Sequence, residues 1–263
     1  MRDVADFILA EPQSIAFDTL ALIANRAGVH ASTLVRFANH FGYTGFSEMQ
    51  ALYKQDVQRT YSDYIDRIRE QQLTVPAQER VQSSQLLAEL CAAGSESLQA
   101  MSDAIDPAAL EAAVAAIAAS RRVHLCGMRR AFGVVMYLYY TLSQVQKDCA
   151  VIDGSASMLS EQIAQAQPGD LLIAITFSPY STTTADIITQ AHAQQVTVLL
   201  ITDAGDFRSK PIADLVFEVA DPEVRSFRSL TTTLCLAQTL CLGTGYYLQQ
   251  QRRQQPSPGD GEH

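Results

Sequence analysis

The chain has 263 residues, of which 48% are hydrophobic and 18% charged, and its formal net charge is -9. This composition allows one large or two modest domains with a sizeable core and excludes a disordered polyelectrolyte. The acidic balance also excludes a protein that coats nucleic acid over its whole surface, so any contact with DNA must be local.

The five cysteines form no CxxC pair, so we predict no zinc site, and we predict no other metal or cofactor. Cys126 and Cys235 lie in apolar runs, and we expect both to be buried. We find no signal peptide and no apolar stretch of membrane length, so we expect a reduced, cytoplasmic protein without a membrane partner.

The N-terminal part predicts short helices. Residues 3–10 predict a first helix that Pro12 ends, and Asp18 is the expected N-cap of the next helix. Residues 20–41 have the spacing of two amphipathic helices broken at Gly28, which suits the positive φ of a turn. This spacing predicts a helix-turn-helix, although an ordinary helical hairpin would show it too.

Charge favours the DNA-binding interpretation of this segment. No Asp or Glu lies between Asp18 and Glu48, in a chain that is acidic overall. A surface without carboxylates avoids repulsion of the DNA phosphates. The residues that we predict to approach DNA are Arg26, His30, Ser32, Thr33, Arg36 and Lys54.

The chain then changes character twice. We expect the aromatic residues Phe41, Tyr43 and Phe46 to fill the core beneath a turn rather than to stack on bases. The predicted segments are a DNA-binding domain over residues 1–60, a polar helical connector over 61–85, a second domain over 86–250 and a disordered tail over 251–263.

The second domain predicts an α/β fold, so the whole chain is of class α + α/β. Two helices precede five apolar strands, over residues 123–127, 149–153, 170–177, 196–203 and 214–220, with helices between them. Such strands predict a five-stranded parallel sheet in a three-layer αβα arrangement. The long apolar helix expected over 226–248 would be buried, against the domain or another subunit.

Polar side chains cluster where predicted strands end, which is where such sheets bind ligands. Residues 176–184 carry six hydroxyl side chains at a strand-to-helix junction, and this favours an anion site over a simple helix cap. Arg129 and Arg130 follow the first strand and could bind phosphate or carboxylate, or form a surface ion pair with Asp153 or another acid. Glu223 follows the fifth strand.

These residues resemble the RpiR/MurR family of bacterial transcriptional regulators, which join a helix-turn-helix domain to a SIS (sugar isomerase) domain. The N-terminal resemblance lies in residues 22–29, 33–37 and 41–48. Residues 175–184 are similar to the SIS phosphate loop I-S-x-S-G-x-T-x-x-T, with Pro179 in place of Gly. Residues 209–214 and 223–226 resemble further SIS segments, the second of which carries a Glu.

The chain departs from the family at two places. SIS domains usually show G-x-G-x-S after the first strand. In this chain Arg129 replaces the second Gly and Ala131 replaces the Ser. Either the arginines bind the anion directly, or the ligand is not a phosphosugar. His30 also replaces the Ser that often caps the recognition helix.

The resemblance implies a regulator that binds a palindromic operator in double-stranded DNA as a homo-oligomer, dimer or tetramer, and senses a small anionic metabolite, a phosphosugar or sugar acid. The effector-binding residues that we predict are Arg129, Arg130, Thr176, Ser178, Ser181, Thr184 and Glu223. We predict no catalytic residue, because no nucleophile–base pair is evident. The alternatives are a sugar-phosphate isomerase with Glu223 as its acid or base, and a SIS domain that serves only oligomerisation.

Overall fold

The computed structural model describes residues 4, 5, 7, 8, 12–61, 65, 68, 69, 81–205 and 207–254. The chain forms two compact units, Met1–Arg80 and Val81–His263. Most of the predicted connector lies outside the described residues. The last helix continues to Gln254, three residues past the expected start of the tail, and residues 255–263 lie outside the described residues.

The N-terminal unit is helical, as predicted. Residues 4, 5, 7 and 8 are helical, and the helices that follow are α1 (Pro12–Phe17), α2 (Leu20–Arg26), α3 (Ala31–His40) and α4 (Phe46–Tyr61). Their apolar faces meet in one core, whose larger members are Ile15, Ile23, Leu34, Phe37, Phe46 and Met49. Burial of this shared face holds together helices that are too short to be stable alone.

The turn between α2 and α3 has the geometry that the sequence predicts. Gly28 has a φ of 65°, and the Val29 N–H donates to the Ala24 carbonyl at 2.9 Å. Ala24 and Leu34 are buried where the two helices pack. A small residue at 24 permits the close approach, and a glycine at 28 reverses the chain at low cost.

Two local predictions in this unit are wrong. Asp18 does not cap α2, because Thr19 is the N-cap and its hydroxyl accepts from the Leu22 N–H at 3.3 Å. The Asp18 carboxylate lies one residue too early and accepts from the Ser14 hydroxyl instead. Phe41 is not a core residue but is 62% exposed, because it follows the last turn of α3 on its outer side.

The C-terminal unit is a three-layer αβα domain. Its strands are β1 (Val123–Cys126), β2 (Cys149–Ile152), β3 (Leu171–Thr176), β4 (Thr197–Thr202) and β5 (Leu215–Glu218). They form a parallel sheet in the order β2-β1-β3-β4-β5. Its helices are α5 (Ser83–Ala104), α6 (Pro107–Ala119), α7 (Ala131–Gln144), α8 (Leu159–Ala164), α9 (Thr182–Ala193) and α10 (Thr231–Gln254).

Each face of the sheet has its own core. Leu171, Ile173 and Ile175 pack in the cluster that includes residues of α6, α7 and α10. Leu172 and Ala174 pack in the opposite cluster, which includes residues of α9. Alternate side chains of one strand therefore enter opposite layers, and this explains why β3 is apolar at every position.

The end of the domain differs from the prediction. Residues 226–228, expected to begin the last helix, belong instead to a small hairpin of β6 (Glu223–Val224) and β7 (Phe227–Arg228), because Arg225 and Ser226 both have positive φ and form its turn. Cys235 is exposed rather than buried, because it lies on the outer side of α10, whereas Cys126 is buried as expected. Burial raises the pKa of the Cys126 thiol to about 12.

Replacing Gly28 with Ala should lower the free energy of unfolding of the N-terminal unit by about 1 kcal/mol, because alanine disfavours positive φ. No atom lies within 4 Å of the position of the added Cβ, so the cost comes from the backbone alone. Gly28→Asn is the matched control and should lose less, since Asn tolerates this conformation better. Hydrogen exchange of the α2 and α3 amides in the full chain measures both losses, and equal losses would contradict the account.

Candidate functional sites

The exposed side of α3 presents the side chains predicted to approach DNA. Ser32 and Arg36 are exposed and Thr33 is partly exposed, whereas Leu34 and Phe37 are buried on the opposite side. His30 is the N-cap of α3, is exposed and makes no side-chain capping bond. Hydroxyl and guanidinium groups on one helix face are suited to phosphates and base edges.

The two remaining predicted DNA contacts lie outside α3. Arg26 is half-exposed, and its guanidinium forms an ion pair with Asp18 at 3.0 Å and donates to the Ser14 hydroxyl at 3.1 Å. Its charge is therefore partly neutralised within the unit, so a phosphate would compete with Asp18 for it. Lys54 is exposed on α4.

In the C-terminal unit, the predicted hydroxyl cluster divides into different roles. Ser181 is the N-cap of α9, and its hydroxyl accepts from the Thr184 N–H at 3.3 Å. Thr176 is buried at the end of β3 and Thr184 is buried in α9, where its hydroxyl has no hydrogen-bond partner within the described part of the chain. Of the predicted effector residues in this loop, Ser178 is exposed and Ser181 is half-buried.

Arg130 lies against the same loop. Its guanidinium carbon is 4.6 Å from the centre of the Phe177 ring, in a cation–π arrangement, and its Nη1 donates to the Ser229 carbonyl at 3.4 Å. Arg129 is exposed and has a φ of 57°. Asp153, a suggested partner of these arginines, hydrogen-bonds to Ser155 and Gln162 instead.

Gly127 brings these two loops together. A Cβ at this position would lie 3.0 Å from the Ile175 carbonyl oxygen and 3.0 Å from the Val135 side chain. A larger residue at position 127 would therefore press against the end of β3, and glycine suits this close approach. This approach places the Arg130 loop beside Phe177.

Asp203, which the sequence analysis did not single out, organises the loop after β3. Its carboxylate accepts from the Ser178 N–H at 3.0 Å and from the Tyr180 hydroxyl at 2.5 Å. Asp203 follows β4 directly, so the strand-end rule that identified residues 176–184 also applies to it. Tyr180 and Asp203 therefore fix the shape of the loop that exposes Ser178.

Arg228 joins this loop to the hairpin. Its Nη1 lies 3.4 Å from an Asp203 carboxylate oxygen and donates to the Ser178 carbonyl at 3.5 Å. Its Nε donates to the Glu223 carboxylate at 2.9 Å, across the two strands of the hairpin. Glu223 is thus linked to the Ser178 loop through Arg228, a residue that the sequence analysis did not select.

Asp221 binds the first turn of α10 and is close enough to Arg130 to feel its charge. Its carboxylate accepts from the Thr233 N–H at 3.0 Å and from the Thr233 hydroxyl at 2.6 Å. Burial raises the pKa of Asp221, and the hydrogen bonds from Thr233 and the charge of Arg130 only partly offset this effect.

The combined site is mixed in charge. Arg130 and Arg228 both contact residues of the Ser178 loop, and the carboxylates of Asp203 and Glu223 pair with Arg228. Such a surface suits a polar ligand with an anionic group and several hydroxyls.

Within the described residues, no group of three or more His, Cys, Asp or Glu could hold a metal ion. No described helix has the length and hydropathy that crossing a bilayer requires.

Comparison with known proteins identifies both units. Residues 2–60 match the helix-turn-helix domain of the rpiR family, and residues 116–242 match the SIS domain. The chain belongs to the RpiR family. It is therefore a transcriptional regulator with a helix-turn-helix domain and a SIS domain.

Relatives in this family are named as regulators. The uncharacterised HTH-type transcriptional regulator YbbH of Bacillus subtilis is 22% identical over 238 residues, which cover 90% of this chain and 80% of YbbH. The HTH-type transcriptional regulator HexR of Pseudomonas aeruginosa is 22% identical over 205 residues, which cover 78% of this chain and 68% of HexR.

Solved structures share the fold. The sugar isomerase domain of an RpiR transcription factor from Sphaerobacter thermophilus has a TM-score of 0.58 at 22% identity, covering 65% of this chain and 99% of that one. The NanR protein of Vibrio vulnificus, solved in complex with ManNAc-6P, has a TM-score of 0.58 at 19% identity, covering 96% of this chain and 90% of that one.

Asp221 should make the free energy of unfolding depend on pH, and Asp221→Asn should remove this dependence. Because the folded pKa is raised, the unfolded chain releases this proton first as the pH rises, so the contribution of Asp221 to the free energy of unfolding falls in a pH window that begins near about 4, the ordinary pKa of an aspartate, and ends at the raised folded pKa. Urea unfolding should therefore show wild type losing stability relative to Asp221→Asn as the pH rises through this window. A difference that stays constant with pH would contradict the assignment.

Proposed function

We propose that this RpiR-family chain binds an operator as a homo-oligomer and that its SIS domain senses an anionic sugar derivative, a phosphosugar or a sugar acid. The observation that carries the proposal is the approach of Arg130 and Arg228 to the exposed Ser178 loop, at the carboxyl ends of the parallel strands. Guanidinium groups bind phosphate and carboxylate by paired hydrogen bonds.

Direct recognition by arginine compensates for the altered glycine loop. The family's second glycine and serine are Arg129 and Ala131 here, so the usual backbone cradle is changed. Arg130 is held in place by Phe177, and a positioned guanidinium loses little freedom when it binds an anion. The ManNAc-6P complex of NanR supports a sugar phosphate as one ligand class for this fold.

We propose that the chain is not an enzyme. An aldose–ketose isomerase needs a group placed over the substrate that accepts and returns a proton. Glu223, the candidate for that role, is held by Arg228 at 2.9 Å, and the relatives that we compared are named as transcriptional regulators.

The proposed DNA contacts follow from the exposed face of α3. Ser32, Thr33 and Arg36 would enter the major groove, with His30 at the helix N-terminus and Lys54 on a phosphate. Arg26 contributes to phosphate binding only to the extent that DNA draws its guanidinium from Asp18.

The proposed oligomer interface is an uncharged surface on α7 and α10. Neither residues 131–144 nor residues 231–251 contain a charged side chain, and the two helices pack together. This surface exposes Phe132, Met136, Tyr139, Tyr140, Leu242 and Tyr246 and adjoins a groove of about 320 Å³ between the end of α7 and α10. A second copy would cover it, since monomers rarely expose such patches, and a two-fold dimer matches a palindromic operator.

Introducing a charge into this surface should dissociate the oligomer. Met136→Glu places a carboxylate among apolar side chains, where desolvation is costly, and should yield a monomer in size-exclusion chromatography with light scattering. Ser160→Glu, at an exposed position on α8, is the matched control and should leave the wild-type mass unchanged. A monomeric wild type, or a Met136→Glu variant of unchanged mass, would refute this interface.

An anionic sugar should stabilise the protein through Arg130. A ligand present at a hundredfold excess over its dissociation constant adds about 2.7 kcal/mol to the free energy of unfolding. In a thermal-shift panel that contains ManNAc-6P, other phosphosugars and sugar acids, at least one compound should raise the melting temperature of wild type and not of Arg130→Gln. Arg208→Gln, which alters an exposed arginine paired with Asp186, should respond like wild type. The absence of any stabilising compound would reject the sensor proposal.

A further inference from the structure

The hairpin of β6 and β7 has a turn that its residues disfavour. Arg225 and Ser226 occupy the two turn positions with φ values of 51° and 65°. Two-residue hairpin turns with positive φ at both positions usually contain Asn or Gly, because other side chains are strained there. Contacts outside the hairpin position this turn, and strain of this kind is commonly found where a segment has a functional role.

One such contact joins the turn to α5. The Arg225 guanidinium donates to both carboxylate oxygens of Glu89, from Nε at 2.6 Å and from Nη2 at 2.7 Å. The hydrogen bonds from Arg225 lower the pKa of Glu89, so this carboxylate is charged at neutral pH. Forked pairs of this kind fix orientation as well as distance.

The position of Glu89 in the chain gives this contact its significance. Glu89 lies in the second turn of α5, the first helix of the C-terminal unit, which begins at Ser83. The boundary between the two units lies after Arg80, and α5 is the first described helix that follows it, whereas the last described helix before it, α4, ends at Tyr61. In chain order, α5 is therefore the element of the C-terminal unit that follows the DNA-binding unit.

The other end of the hairpin reaches the candidate effector loop. Arg228 contacts Asp203 and the Ser178 carbonyl on one side and Glu223 of the opposite strand on the other. A ligand anion at Ser178 would compete with Asp203 for this guanidinium. Ligand binding would thus alter the contact that holds the hairpin against the loop.

We propose that the β6–β7 hairpin transmits effector occupancy from the Ser178 loop to the start of α5, through Arg228 at one end and the Arg225–Glu89 pair at the other. The inference rests on the proposed effector site and names its route to the DNA-binding unit. Each strand of the hairpin has only two residues, so a shift of Arg228 moves the turn with it. The ligand acts by binding the two hairpin positions with different affinity.

These ion pairs transmit position and contribute little to stability. Glu89, Arg225 and Arg228 are all partly exposed, and ion pairs at such sites contribute little to the free energy of unfolding. Conservative substitutions should therefore interrupt the route and leave the fold intact. This property allows the route to be tested without a ligand.

The test measures hydrogen exchange of the amides of residues 86–93 in the full-length chain. Arg228→Gln releases the hairpin from the loop and should accelerate this exchange about threefold or more, a size typical of coupled sites. Arg208→Gln, which removes an exposed arginine that pairs with α9 instead, should leave it unchanged. In a Glu89→Gln background, Arg228→Gln should have no further effect, because the route is already interrupted.

Two results would overturn the inference: unchanged exchange in Arg228→Gln, or an acceleration that persists in full with Glu89→Gln. Circular dichroism verifies that each variant is folded, and Arg228→Lys, which keeps the charge but not the forked geometry, replaces a Gln variant that unfolds. The thermal-shift panel distinguishes the two proposals, because its failure rejects the effector site whereas unaltered exchange rejects only the hairpin route.

Discussion

The parallel register of the central strands is the constraint on which the effector site depends. Cys126 of β1 lies opposite Ala174 of β3, and Thr176 of β3 lies opposite Thr202 of β4. Apolar side chains on both faces hold this register, since a shift by one residue would exchange the two layers. The loops that follow these strands are therefore brought together at one edge of the sheet: Arg130, Ser178 and Asp203 each follow a strand, whereas Glu223 and Arg228 lie in the hairpin.

The two arginines of the site are held in different ways, and Arg228 also belongs to the hairpin. Arg130 is held by an aromatic ring, whereas Arg228 is shared between the Ser178 loop and the hairpin. A fixed cation binds an anion without rearrangement. A shared cation must release one partner to bind another, and in this way the binding of a small molecule can change the position of a distant helix.

Much of the fold could be predicted from the sequence, because apolar runs and the turn at Gly28 are local signals. The five strands lie within one or two residues of their predicted bounds. Phe41 was misplaced because tertiary packing, not residue type, decides its exposure. The site was only partly predictable. Asp203 lies 25 residues from its partner in the loop, and Arg225 lies 136 residues from Glu89, so no local pattern indicates these contacts.

We propose that a small anion bound by the SIS domain controls DNA binding. The most direct test selects an operator duplex from random DNA with the full-length chain. It then measures affinity for that duplex with and without the compound that raises the melting temperature. The account predicts a change in affinity of about fivefold or more in wild type, and none in Arg130→Gln. Equal affinity of wild type with and without the compound, or the absence of a preferred duplex, would contradict it.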